Sequence, residues 1–158
     1  MKGGLMLELR VPPAIVWLVC AVLMGLASRL ASSLSISIPA PLTAGFIVLC
    51  VLSGCGMAWL ALNAFYQAQT TTHPMHPDQA SALVTDGIYR YTRNPMYLGM
   101  TLLLLAWALY LANWAALLGV ALFMAYITRF QIIPEERALQ RIFGEEYEAY
   151  RRSVRRWV

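Results

Sequence analysis

Charge is what this sequence has least of. Only 13% of its 158 residues are Asp, Glu, Lys or Arg, where a soluble domain carries roughly 25%. None of these falls between Leu30 and Pro77, and none between Asn94 and Thr128. Two uncharged stretches of that length exclude an ordinary water-facing surface, and they leave no room for a separate soluble catalytic domain. Cysteine is sparse too: Cys20, Cys50 and Cys55 all lie in apolar runs, without C-x-x-C spacing or a neighbouring His. That argues against a metal knuckle or a disulfide framework and for small buried hydrophobes. Histidine is limited to His73 and His76, three apart and without further Cys or His, so no metal is expected.

What the chain does have is hydrophobicity: 59% apolar residues and a mean hydropathy of +0.59. A bilayer core needs about 20 predominantly apolar residues per helix. The apolar runs place spans at 13–34, 42–64, 95–112 and 114–133, with a charged segment at 134–157. The fold class expected is an all-α integral membrane protein, with four transmembrane helices and a C-terminal amphipathic segment, forming one domain over residues 1–158. Lys2 and Arg10 precede the first span, and the Ala-Ser-rich residues 27–33 close it, a pattern that a signal peptide also fits. Arg29 sits where its stem can snorkel to the headgroups. Pro39-Ala40-Pro41 separates spans one and two. The small residues Ser53, Gly54, Cys55, Gly56 and Ala58 permit close helix approach in lipid, or a dimer. Asn113 is the natural turn between spans three and four, with Trp107, Tyr110 and Trp114 suited to an interface.

Lys and Arg set the orientation. The 32–41 loop and the Asn113 turn carry none, whereas the N-terminus has Lys2 and Arg10, the 67–94 connection has Arg90 and Arg93, and the segment from Arg129 onward has seven. The positive-inside rule puts both termini and the long connection in the cytoplasm, in an inner (cytoplasmic) membrane. The net charge of +4 then reads as a lipid-facing basic tail rather than a nucleic-acid surface, and no nucleic-acid partner is expected. Leu139, Ile142, Phe143, Tyr147, Tyr150, Val154 and Trp157 recur at helical spacing among those charges, and Gly144 divides the pattern into two helices.

Two polar clusters are not explained by packing. One is the run from Thr85 to Gly99, rich in Tyr, Arg and Asp, which ends against an apolar span. The other is Pro134-Glu135-Glu136. A tight hairpin of spans three and four returns residue 135 to the level of residue 95. A helix opening at Pro95 leaves backbone N–H groups free for an anion or a carboxylate. Tyr89, Tyr91 and Tyr97 offer faces for a ring or a cation, and Glu135 and Glu136 offer negative charge. Such a set suits S-adenosylmethionine, which combines adenine, a cationic sulfur, an ammonium and a carboxylate.

The sequence Leu83-Val84-Thr85-Asp86-Gly87-Ile88-Tyr89-Arg90-Tyr91-Thr92-Arg93-Asn94-Pro95-Met96-Tyr97-Leu98-Gly99, followed by Glu135-Glu136-Arg137-Ala138-Leu139 and by Phe143-Gly144-Glu145-Glu146-Tyr147-Glu148-Ala149-Tyr150, resembles the isoprenylcysteine carboxyl methyltransferase family. The related phospholipid N-methyltransferases share much of it. The resemblance covers roughly residues 70 to 157. It implies that Ala82, Leu83, Val84, Tyr89, Arg93, Asn94, Pro95, Met96, Tyr97 and Glu135 bind S-adenosylmethionine. Asn94 stands where the family usually has His, which excludes a titrating imidazole there. Gln131 stands where prenylcysteine enzymes have an Arg that grips the substrate carboxylate, and Arg129, two residues earlier, points to another face of the helix.

Methyl transfer to a lipophilic or lipid-linked acceptor follows, either carboxyl O-methylation or amine N-methylation, with Glu136, Arg129 and Gln131 as the residues nearest the chemistry. A carboxylate acceptor needs no general base, whereas an amine must be unprotonated, and Glu136 is the residue placed to take its proton. The cofactor enters from the cytoplasm and the acceptor laterally from the bilayer. Two other readings compete: a nicotinamide-dependent membrane reductase, which needs a larger basic pocket, and a small membrane scaffold whose polar clusters serve assembly.

Overall fold

The computed structural model describes residues 8–68 and 81–158; Lys2 and the His73 and His76 pair lie outside them. Every long described segment is helical. Helix α1, Pro13–Leu30, opens on Pro13, a position where the missing N–H costs nothing. It stops four residues short of the expected 34, and a short helical turn at Ser32–Leu34 follows. Helix α2, Ala40–Gln67, takes the Pro39-Ala40-Pro41 sequence as its first turn and continues past the expected 64. Helix α3 is Pro95–Leu111 and α4 is Trp114–Ile127. A π-helical stretch, Thr128–Ile132, joins α4 to α5, Ile133–Ser153; single π turns of this kind concentrate at functional sites. Gly144, at φ 50°, kinks α5, as expected of the one residue type that takes this backbone without a side-chain penalty.

Three helical stretches are long and apolar enough to cross a membrane: Pro13–Leu30, Ala40–Gln67 and the run that begins at Trp114, while Pro95–Leu111 is apolar but shorter. Their outer faces expose Leu18, Leu26, Phe46, Leu52, Trp59, Leu118 and Leu122. So much exposed apolar surface would be a liability in water and is what a lipid-facing wall requires.

Helix α3 is the centre of the bundle, packed on α2, α4 and α1, and α1 also packs on α4. At the α2–α3 contact Gly54 faces Gly99: a Cβ on Gly99 would stand 2.7 Å from the Gly54 carbonyl oxygen, and one on Gly54 would stand 2.9 Å from that of Gly99. Gly54 of the small-residue strip thus serves helix approach, whereas Gly56 meets nothing within 4 Å. On the other side of α3, indole N–H groups bind it to α1, Trp17 donating to the Met100 carbonyl at 2.9 Å and Trp107 to the Ala21 carbonyl at 3.0 Å. Met24, Leu104, Phe123, Ile127 and Ile132 fill the core between.

Asn113 closes the end of the bundle that holds the α3–α4 turn. Its side-chain oxygen caps α4 by accepting from the Ala115 amide at 2.9 Å, and its Nδ2 donates to the Ala31 carbonyl at 2.8 Å. Ile36 N–H donates to the Ala112 carbonyl at 2.7 Å, so the 31–36 loop and the α3–α4 turn are tied together. Asn113→Ala removes a helix cap and a second buried hydrogen bond and is expected to cost about 2 kcal/mol. Thermal unfolding in detergent micelles should show a lowered midpoint, with Asn113→Asp, which keeps the cap alone, falling between.

Candidate active site

All the polar motifs gather at the opposite end. The chain arrives there through an extended segment, 81–86, and a helical turn at Gly87–Arg90, where Gly87 takes φ 62°. Helix α3 then starts at Pro95, which aims Met96, Tyr97 and Met100 inward. The π stretch and α5 deliver Glu135 and Glu136 from the other side. Between these walls lies a cavity of about 360 Å3, lined by Ala82, Leu83, Val84, Tyr89, Arg93, Asn94, Met96, Tyr97, Glu135 and Glu136. Ligand pockets of small molecules start near this size.

The two carboxylates of the pair have different surroundings. Glu136 is held by guanidinium groups: Arg156 donates from Nε at 2.9 Å and from its terminal nitrogen at 2.8 Å, and Arg93 lies 3.1 Å away. Glu135 has no cationic partner among the described residues. It accepts a 2.5 Å hydrogen bond from the Tyr97 hydroxyl. Burial, and then the negative charge of Glu136, push its carboxyl up to about 8, against the opposing pull of the Tyr97 hydrogen bond. A carboxylate partly shut away from water and without a counter-ion is a place for a cation.

The tyrosines form the roof. Tyr150 donates to the Tyr89 carbonyl at 2.8 Å, Tyr147 is 3.4 Å from an Arg93 terminal nitrogen, and Phe65 meets the Tyr89 ring edge-on with centroids 5.5 Å apart. Burial raises the Tyr89 and Tyr150 phenols, and that of Tyr147 reaches about 12, so all three remain neutral hydrogen-bonding groups at physiological pH.

Of the ten residues expected to bind the cofactor, the structure brings nine to the cavity wall. Pro95 lies behind it, buried at the first turn of α3. Tyr91 points away and is 76% exposed. Glu136 is in the wall, but Arg129 and Gln131 are not. Arg129 pairs with Glu8 at 2.8 Å, and Arg137 shares the same carboxylate at 2.9 Å. Gln131 is fully buried, donates to the Val11 carbonyl at 2.7 Å, and its oxygen has no partner among the described residues. Gly99, near the start of α3, packs on α2 rather than facing the cavity.

Several lining residues gave no signal of this role. Pro12, Pro13 and Ala14 enter from the start of α1, with Phe65, Met100 and Ile132 from the other helices. Each looks like an ordinary apolar position until the helices are assembled. Tyr147 and Tyr150 could have been found, since they share the inward face of α5 with Leu139 and Phe143.

The chain is similar to known proteins. A family model described as phospholipid methyltransferase matches residues 42–146, which include α2 beyond its first two residues, the 81–94 segment, the hairpin and the Glu pair. A 72-residue stretch is 39% identical to protein-S-isoprenylcysteine O-methyltransferase of Schizosaccharomyces pombe, covering 46% of this chain and 30% of that protein. A 63-residue stretch is 51% identical to an uncharacterized protein of Haemophilus influenzae, covering 40% of this chain and all of that protein. The chain thus aligns with less than a third of the length of the Schizosaccharomyces pombe enzyme. With more than half of its residues under one family model, the chain belongs to the phospholipid methyltransferase family of membrane methyltransferases.

Proposed function

We propose that the cavity binds S-adenosylmethionine and that the protein transfers its methyl group to a lipophilic or lipid-linked acceptor at the cytoplasmic face of an inner membrane. The observation that carries this reading is the meeting of two sequence-distant motifs around Glu135, a partly buried carboxylate with no cationic partner among the described residues. S-adenosylmethionine would supply an electrophilic methyl on a positively charged sulfur. Glu135, Tyr97, Tyr89, Asn94, Met96 and the 82–84 segment are the residues that would hold it. Their chemistry fits, because the ligand's cationic groups need the charge that Glu135 has available, and its adenine needs aromatic and apolar surface. The enzyme's own contribution is alignment and exclusion of water, which supply about 7–11 kcal/mol in well-oriented reactions.

Both oxygens of Glu136 are occupied by guanidinium groups, and we read it as an anchor in the wall. With Gln131 and Arg129 outside the cavity, Arg93 is the one cationic side chain among its lining residues; a terminal nitrogen pairs with Glu136 while its Nε has no partner among the described residues, and the reading covers O- and N-methylation alike. Four spans accommodate the fold, since the 17 residues of α3 lie at the lower end of the length range for crossing a bilayer. The arginine-rich end then faces the cytoplasm. Ala14 is exposed on the first turn of α1 and also lines the cavity, which supports lateral approach of an acceptor from lipid.

Native membranes containing the protein, incubated with methyl-labelled S-adenosylmethionine, are expected to place label in the lipid extract or on a lipidated acceptor. Folded protein that transfers no label and shows no calorimetric binding of S-adenosylmethionine or S-adenosylhomocysteine would sink the proposal and favour a scaffold.

A further inference from the structure

The last five residues look, in the sequence, like the end of a basic tail. In the structure they turn back under the cavity. Val154 is buried among the site tyrosines. The Arg155 carbonyl accepts from the Arg93 amide at 3.0 Å. The Arg156 carbonyl accepts from Asn94 Nδ2 at 2.9 Å and from Thr92 Oγ1 at 3.4 Å. The Arg156 guanidinium crosses to Glu136 and meets both its oxygens, a bidentate pairing that fixes angle as well as distance. Trp157 then anchors the segment by donating to Thr128 Oγ1 at 3.3 Å, at the start of the π stretch.

Arg156 does not line the cavity, yet through its carbonyl it holds one wall and through its guanidinium the other. The walls come from motifs some 40 residues apart, separated by the whole α3–α4 hairpin, and Arg93 to Glu136 is the other ion pair between them. Asn94 is central to this: its amide donates to the tail.

We infer that Arg156 is a positioning residue for the methyl-donor site, its backbone and guanidinium setting the spacing between the Arg93-Asn94 wall and the Glu135-Glu136 wall. This rests on the reading that the cavity binds S-adenosylmethionine. Loss of the Arg156 guanidinium leaves only the Arg93–Glu136 ion pair and the Tyr97–Glu135 hydrogen bond to set the spacing, and a displacement of about 1 Å in such a site costs up to 100-fold. The effect falls on the donor, because the clamp joins the two polar walls; Pro13, Ala14 and Met100, which face the apolar end, do not touch it.

The test compares full-length wild type, Arg156→Ala and Arg156→Lys in detergent micelles. S-adenosylhomocysteine affinity is measured by calorimetry and folding by thermal unfolding. Arg156→Ala is expected to raise the Kd for S-adenosylhomocysteine about tenfold or more. Arg156→Lys keeps the charge but loses the bidentate geometry and is expected to fall between. Donor affinity equal to wild type in both folded variants overturns the inference while leaving the donor reading intact. If Arg156→Ala unfolds, Arg156→Lys decides: weakened donor binding at an unchanged melting temperature supports the clamp, and wild-type binding overturns it. No donor binding by wild type overturns the underlying reading and the inference with it.

Discussion

Glu135→Gln is expected to weaken S-adenosylmethionine binding by about 2–4 kcal/mol, tens- to several hundred-fold, because it removes the cavity's only uncompensated carboxylate among the described residues. The amide keeps the shape and can still accept from Tyr97, so thermal unfolding should change little. The variant also tests the pH dependence. Burial raises the Glu135 carboxyl from its ordinary 4.5 to about 8, and a cationic ligand binds the ionised form. Below about pH 8, binding must expel a proton, so affinity should fall towards tenfold per pH unit as pH drops. It should level off above pH 8. Glu135→Gln should flatten that profile, and calorimetry in buffers of different ionisation enthalpy should show proton release at pH 7 for wild type only. The ligand-free protein has the opposite sign. An acid raised on folding contributes stability that is full below about 4.5 and is lost as pH rises through about 8, because the folded state holds a proton that the unfolded chain has given up. Added donor should therefore raise the melting temperature more at pH 8 than at pH 6.

Gly99→Ala should be as damaging from a position that touches no ligand. Its new methyl would lie 2.7 Å from the Gly54 carbonyl oxygen, and backbone cannot rotate aside as a side chain does. Overpacking of this kind costs about 1–3 kcal/mol, so α3 must shift off α2. Met96, Tyr97 and Met100 travel with α3, and Phe65 stays on α2, so the cavity deforms together with the helix contact. The expected result is a lowered melting temperature and a loss of methyl transfer larger than the fraction unfolded. Gly56→Ala, which meets open space, serves as the control and should behave as wild type. A Gly99→Ala protein with normal stability and activity would show that the helices do not approach this closely.

Much of this was legible in residue patterns because lipid imposes simple rules. Uncharged runs had to become helices that satisfy their own backbone groups, and Asn113 had to be a turn because it is a polar residue between two apolar runs. Gly144 broke α5 where a helical pattern contained the one residue suited to φ 50°. The Tyr97 and Glu135 meeting followed from hairpin geometry alone, since two antiparallel helices of similar length return the chain to its starting level. Helix ends were less legible: α1 stops at Leu30 and α2 runs to Gln67, because apolarity marks what lipid tolerates and hydrogen bonding decides where a helix ends.

The sequence by itself determined the membrane class, the hairpin and the two motifs that line the cavity, since each depends on local composition and on periodicity along one helix. Only the tertiary structure decided that Glu136 is bound by two arginines while Glu135 has no cationic partner among the described residues, that Arg129 serves Glu8, and that Arg156 doubles back to touch both walls. Those outcomes depend on which side chains meet across distances of 20 to 121 residues, and an arginine carries the same charge and the same local pattern whether it faces solvent or closes an active site.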